Sequence, residues 1–187
     1  VTAPVLTTER LILRRIGADD LEPHMELLNT PEVMRHLGGV QPREVIAAKH
    51  AASRASFAAN GYGFMIAEER DGGAMVAHCG LRRVAHPAAP NPEDFEIGWV
   101  VRADRWRQGY ALEAMRAVID WGFTAFDAPR IVALTIASNV GSWRLMEKLG
   151  MTRRENLDFA DPDGGERHIQ YAITRRAWEG QGPAADT

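Results

Sequence analysis

Arg102, Arg105 and Arg107 crowd a short segment, residues 102–111 (RADRWRQGYA), that runs into a long helical pattern. The chemistry this arrangement suits is anion binding. A helix N-terminus presents unpaired backbone N–H groups and the positive end of the macrodipole, so it attracts phosphate. Gly109 has no Cβ, and the backbone there can turn sharply and approach a ligand. Ala111 keeps the helix while leaving room, and the arginines add charge and planar donor forks. A plain strand-to-helix turn with solvated arginines fits the same residues. Two known phosphate loops are excluded. No Gly-Lys-Ser/Thr follows, so the segment is not a P-loop, and no Gly-x-Gly-x-x-Gly is present, so it is not a dinucleotide fingerprint.

A strand must deliver the chain to this segment and a helix must leave it. Residues 95–101 (FEIGWVV) read as the strand. Alternation puts Glu96 and Gly98 on one face and Phe95, Ile97 and Trp99 on the other. The internal Gly98 points to a bulge or a close backbone approach. Residues 108–126 read as the helix, with Ala111, Met115, Val118, Gly122 and Phe126 along one face. Residues 130–137 (RIVALTIA) follow as a buried strand, then 139–149 as a helix stopped by Gly150 at C′. Asn139 is a good N-cap there, and Ser142 falls in the first turn.

Upstream, residues 10–16 read as a strand and 19–29, 31–37 and 43–59 as helices, with Thr30 capping and Pro31 at the first helical position. Strands 64–69 and 74–84 flank the Asp71-Gly72-Gly73 hairpin turn, and a proline-rich loop occupies 86–92. Downstream, strands 151–159 and 167–174 enclose a turn at 161–165, and 175–179 form a last helical turn. Partial interleaving of helices and strands gives an α/β (α+β) chain with a mixed sheet. One domain over residues 1–187 is expected, with its core at about 6–179 and loose ends at 1–7 and 180–187.

Composition narrows the function classes. Hydrophobic residues make up 45% of the 187, enough for a sizeable core. No apolar run reaches the roughly 20 residues of a membrane span, and no basic-then-apolar leader pattern opens the chain. The formal charge of −3 gives no basic footprint for nucleic acid and mildly favours a cationic substrate. The single cysteine, Cys79, rules out an internal disulfide and a Cys-based zinc site and fits a reducing cytoplasm. The six histidines show no ligand-like spacing, so no metal is expected.

Residues 106–114 (WRQGYALEA) resemble the acetyl-CoA loop of the GCN5-related N-acetyltransferase (GNAT) family, whose pattern is Gln/Arg-x-x-Gly-x-Gly/Ala. Gly109 and Ala111 match its last two fixed positions, while Trp106 stands where Gln or Arg is usual. The resemblance is closest to the branch that acetylates the N-termini of ribosomal proteins. It continues in register. Residues 6–14 (LTTERLILR) look like that branch's opening strand, and 95–99 (FEIGW) look like its fourth. Residues 139–151 (NVGSWRLMEKLGM) look like its second CoA motif.

The resemblance implies a mostly antiparallel central sheet of about seven strands flanked by four to five helices. It also implies acetyl-CoA as cosubstrate, without a metal. The acceptor would be a small-molecule or peptide amine that attacks the thioester directly, in a monomer or homodimer. An α-amino group has a pKa of about 7.7–8.0, so a general base helps. Glu96 is the candidate base, with Asp94 a lesser one. Ser142 is the candidate acid or sulfur contact, and Asn139 would bond the pantetheine arm. The backbone of Trp99, Val100 and Val101 would pair with the pantetheine amides, and Arg102, Arg107, Gln108, Gly109, Tyr110 and Ala111 would hold the pyrophosphate. Tyr110 reads chiefly as a packing residue and His168 as a satisfied structural histidine. The acceptor would lie near residues 31–39 and 61–64. Met146 stands where many relatives carry a catalytic tyrosine, which leaves the acid open and admits a weakly catalytic acyl-CoA-binding domain.

Overall fold

The computed structural model describes residues 3–162 and 164–181. Its strands are β1 (Pro4–Thr7), β2 (Leu11–Arg14), β3 (Phe64–Glu69), β4 (Met75–Arg83), β5 (Phe95–Val101), β6 (Arg130–Ile136), β7 (Thr152–Arg153) and β8 (His168–Thr174). They form a mixed sheet in the order β1-β2-β3-β4-β5-β6-β8-β7. The helices are α1 (Leu21–Leu27), α2 (Pro31–Met34), α3 (Arg43–Asn60), α4 (Tyr110–Phe126), α5 (Val140–Lys148) and α6 (Arg175–Glu179). Neighbours β1–β2, β2–β3, β3–β4, β6–β8 and β8–β7 pair antiparallel, and β5–β6 pair parallel. The expected class and mixed sheet are therefore present, with one strand more than expected. The extra strand is β1. Residues 4–7 were expected as part of a loose end but pair with β2, Leu6 opposite Leu13 and Thr7 opposite Ile12. Pro4 is tolerated as the first residue of an edge strand, where its missing N–H costs no ladder bond. Residues 1–2 and 182–187 of the expected loose ends, and residue 163 in the expected turn, lie outside the described residues.

The chain divides into two compact units. One comprises Val1–Arg82 with Gly98–Val118, and the other Arg83–Ile97 with Ile119–Thr187. In the first, alternation on β2 buries Leu11 and Leu13, and Ile16, Leu28, Ile66 and Met75 pack into one apolar cluster. The other face of β2 carries Arg14, whose guanidinium forks onto both Asp20 oxygens at 2.8 Å and bonds Glu68 at 2.7 Å. Burial pushes the Asp20 carboxyl up, but the Arg14 fork and the Gly17 N–H outweigh it and hold the group below the usual range. Three histidines, His24 on α1, His50 on α3 and His78 on β4, are buried together with ring centroids 4.8–5.6 Å apart. The 43–59 helix of the sequence reading extends to Asn60 and ends at Gly61, left-handed at φ 80°.

In the second unit, β6 has four of its seven residues buried and none exposed, as its apolar run predicts. Val84, Ala89, Val132, Phe159 and Ala172 form its apolar cluster. The buried amides of Asn91 and Gln170 satisfy each other through reciprocal bonds of 3.0 and 3.1 Å. The expected 151–159 strand is mostly absent. Thr152–Arg153 pair with β8 and Phe159 bridges its first residue, His168, but between them Glu155–Leu157 turn into a 3-10 helix. Arg153 bonds Asp158 across that turn, and the Gln170 amide takes the Leu157 carbonyl at 2.7 Å. The Gln170 side chain thereby captures a backbone carbonyl that a straight strand would pair.

Candidate functional site

In the first unit β5 ends at Val101, and a 3-10 turn, Ala103–Arg105, leads to α4. The segment between them is unusual. Arg107 has φ 60° and Gly109 has φ 84°, so two left-handed residues flank Gln108. A non-glycine residue held there is strained, and such strain clusters where backbone must face a ligand. Residues 107–109 are exposed and feed directly into the open N-terminus of α4. Consecutive N–H groups turned by alternating backbone handedness make an anion-binding hollow. The phosphate reading of this loop rests on that geometry.

The arginines divide by role. Arg102 is committed: it bonds Asp104 at 2.6 Å and the Met75 carbonyl at 3.1 Å, and its backbone N–H bonds Val76. Arg105 is committed to Glu69 and Asp104, each at 3.0 Å. Arg107 is exposed and has no side-chain hydrogen bond or ion pair among the described residues. It is the arginine of the loop that remains available to an incoming phosphate. Gln108 bonds the Asp104 carbonyl at 2.8 Å, and Trp106 donates to the Val101 carbonyl at 2.8 Å, tying the loop to the end of β5. This is how Trp106 serves the loop at a position where relatives place Gln or Arg. Tyr110 donates to Glu69 at 2.7 Å and packs under Arg10. Its hydroxyl is held above the usual tyrosine range, first by the bond to the Glu69 carboxylate. It is a packing and anchoring residue. Trp99 and Val100 lie half-buried on β5, Val100 against the Ile16 cluster, and Ala111 is in the first turn of α4. Gly98 is needed for space, because a Cβ there would come within 2.7 Å of the Phe64 ring.

The second unit holds the candidate chemistry. Glu96 is 6% exposed. The parallel β5–β6 ladder contains Phe95 opposite Ile131 and Glu96 opposite Val132, and among the described residues it stops there, before Gly98. Glu96 is therefore the last residue of β5 paired to β6. Asp94, the lesser carboxylate candidate, accepts from Arg130 and from Asn91 at 2.8 Å. Asn139 caps α5, its side chain accepting weakly from the Ser142 N–H at 3.4 Å. Ser142 is half-buried, and its hydroxyl makes no hydrogen bond among the described residues. Met146 is fully buried, in the core as its helical spacing predicts.

His168 departs from expectation. It stacks flat on Phe159, centroids 4.8 Å apart, but its buried Nδ1 has no hydrogen-bond partner among the described residues. Burial and the neighbouring His86 hold it below the usual histidine range, against the pull of Asp161 and Glu96. The fold also gathers His86, Asp161 and His168 so that one ligand atom from each lies within 4.8 Å of the others. Nothing in their spacing announced this. The Nδ1 of His86 accepts the Ala88 N–H at 3.2 Å, which leaves the proton on Nε2, the atom facing Asp161 at 3.6 Å. His86 and Asp161 thus make a histidine–carboxylate contact. Sequence reasoning also missed Thr8, Arg10, Glu69 and Glu113, which bind the donor loop or its helix. The acidic Glu113, one turn into a helix that follows a basic loop, was the available signal.

Known proteins resemble the chain in sequence and in fold. The acetyltransferase (GNAT) domain profile matches residues 10–152. The uncharacterized N-acetyltransferase YoaA of Bacillus subtilis is 31% identical over 159 residues, 80% of this chain and 84% of that protein. The FsC-acetyl coenzyme A-N(2)-transacetylase of Aspergillus fumigatus is 28% identical over 187 residues, 94% of this chain and 78% of that protein. The crystal structure of an acetyltransferase from Agrobacterium tumefaciens superposes with a TM-score of 0.79 at 23% identity, covering 94% of this chain and 96% of that one. With the profile spanning both units, the chain belongs to the GNAT acetyltransferase family and is an acetyl-CoA-dependent acyltransferase.

Proposed function

We propose that the protein transfers acetyl from acetyl-CoA to a primary amine by direct attack, acting as a single cytoplasmic domain. The observation that carries the donor half is the pair of left-handed residues, Arg107 and Gly109, at the open start of α4. In this reading the backbone N–H groups of residues 108–111 and the Arg107 guanidinium take the pyrophosphate, and Trp99–Val101 align the pantetheine arm. The amine nitrogen attacks the thioester carbonyl carbon, the C–S bond breaks, and CoA leaves as a thiolate that takes up a proton. Glu96 accepts the proton the amine gives up, directly or through a water. Ser142, whose hydroxyl is uncommitted, meets the departing sulfur, and Asn139 bonds the pantetheine arm while capping α5.

The acceptor is an amine of a peptide N-terminus or a small molecule. The relatives' names as N-acetyltransferases support the amine. Incubation with a library of peptides and small amines, read by mass spectrometry and by CoA release, tests the whole reading. Acetylated amine products are expected. Met146, sealed in the core where relatives have a tyrosine, favours one second reading, an acyl-CoA-binding domain with weak catalysis. Tight acetyl-CoA binding with no turnover of any amine would select that reading.

A further inference from the structure

We propose that Arg10, in the turn between β1 and β2, is a positioning residue that holds the donor loop in its phosphate-receiving shape, with Glu113 as its anchor. The inference rests on the acetyl-CoA reading of that loop. Arg10 lies far from the loop in sequence, yet its guanidinium meets three consecutive loop residues. Nη1 donates to the Gln108 carbonyl at 2.9 Å. Nη2 lies 3.2 Å from where a Cβ on Gly109 would stand. The guanidinium carbon sits 4.3 Å from the centre of the Tyr110 ring. Glu113, in the first turn of α4, fixes Arg10 in return. Its carboxylate takes the Arg10 Nε at 2.6 Å, the Arg10 backbone N–H at 2.8 Å and the Thr8 hydroxyl at 2.6 Å.

The bond to the Gln108 carbonyl matters most. In a trans peptide the carbonyl and the following N–H point in opposite directions. Fixing the Gln108 carbonyl toward Arg10 therefore aims the Gly109 N–H away from Arg10, to the open side of the loop. The left-handed backbone at Arg107, a non-glycine residue, persists only where surrounding bonds over-determine it, and Arg10 supplies such a bond at the next carbonyl. Arg10 is itself neutralised by Glu113, so it acts through the backbone and leaves the direct counter-charge to Arg107. Burial pushes the Glu113 carboxyl up, but the Thr8 hydroxyl and both Arg10 donors pull it below the usual range, so the anchor stays ionised at neutral pH. Two sequence segments are thereby one device: the opening TERL, residues 8–11, is the lock for YALE, residues 110–113.

The test uses two donors, acetyl-CoA and acetyl-pantetheine, which lacks every phosphate. Arg10→Met keeps the length of the side chain and removes the fork. It is expected to raise the KM for acetyl-CoA about tenfold, the equivalent of one charge-assisted hydrogen bond. The kcat should stay within about twofold, and kcat/KM for acetyl-pantetheine should not change. Arg10→Lys should recover part of the loss. If Arg10→Met does not fold, Glu113→Gln gives the second reading, with a smaller shift of the same kind. A KM for acetyl-CoA that is unchanged in both variants, or an equal loss with both donors, overturns the positioning role. Wild-type protein that does not prefer acetyl-CoA to acetyl-pantetheine overturns the phosphate-loop reading itself, so the two failures are distinct.

Discussion

The two units prepare their functional groups by opposite means. The donor loop of the first is exposed, and charge holds it: Arg10 to Glu113, Arg105 to Glu69, Trp106 to the Val101 carbonyl. What it offers a ligand is backbone, and its specificity lies in φ angles. The carboxylate of the second, Glu96, is buried on a strand beside an apolar cluster and within electrostatic reach of His168. What it offers is a side chain in a dry setting. On the proposed reading, grip on the cosubstrate would depend on backbone conformation, and so on small residues and distant ion pairs, whereas proton transfer would depend on one buried carboxylate.

Glu96→Gln is the sharpest test of that contrast. It should lower kcat about a hundredfold or more, the usual worth of a positioned base, while acetyl-CoA affinity by calorimetry stays near wild type. Unchanged turnover between about pH 6 and pH 9 would remove Glu96 from the base role.

The buried histidines of the first unit give the next effect, and it concerns stability. Burial pushes His24 down to about 4, and burial likewise lowers His50 and His78. Lys49, Arg54 and Arg82 add to the lowering, and Asp20 opposes it. In the unfolded chain each returns to about 6.5. Above that pH both states are neutral and nothing is lost. As pH falls from about 6.5 to about 4 the unfolded state gains protons that the folded state refuses, so stability drops. His24 alone accounts for about 3 kcal/mol of this. Urea unfolding at neutral and mildly acidic pH measures it, and His78→Phe should flatten the slope. A midpoint independent of pH over that window contradicts the prediction.

Gly109→Val comes next. A β-branched residue at φ 84° carries about 1–3 kcal/mol of strain, so acetyl-CoA binding should weaken about tenfold to a hundredfold in a protein that still folds. Wild-type affinity in the folded variant would sink the backbone-cradle view. The smallest effect belongs to Asn139→Ala. Loss of the α5 cap should cost about 1 kcal/mol of stability. A further loss of acetyl-CoA affinity beside that change would show the cap residue also serving the cofactor.

The elements around the donor loop were legible because their signals are local. A glycine before a periodic apolar face, a cap three residues ahead of Ser142 and a β-branched run at 130–136 each act within a few residues. The split among the arginines was not legible, because identical guanidinium groups are told apart only by which carboxylates the fold brings near them. Nor was the fate of residues 154–159, where the competing bonds come from Arg153 within the segment and from Gln170 on another strand.

The sequence by itself determined the family and the α/β class, since motif spacing and hydrophobic period survive without long-range contacts. Only the tertiary structure decided that Pro4–Thr7 joins the sheet, that among the described residues Arg107 stays uncommitted while Arg102 and Arg105 are paired, and that His168 buries a nitrogen unpartnered among those residues. Each of these depends on partners distant in the chain, and hydrogen bonds and ion pairs form between groups that the fold, not the local sequence, makes neighbours.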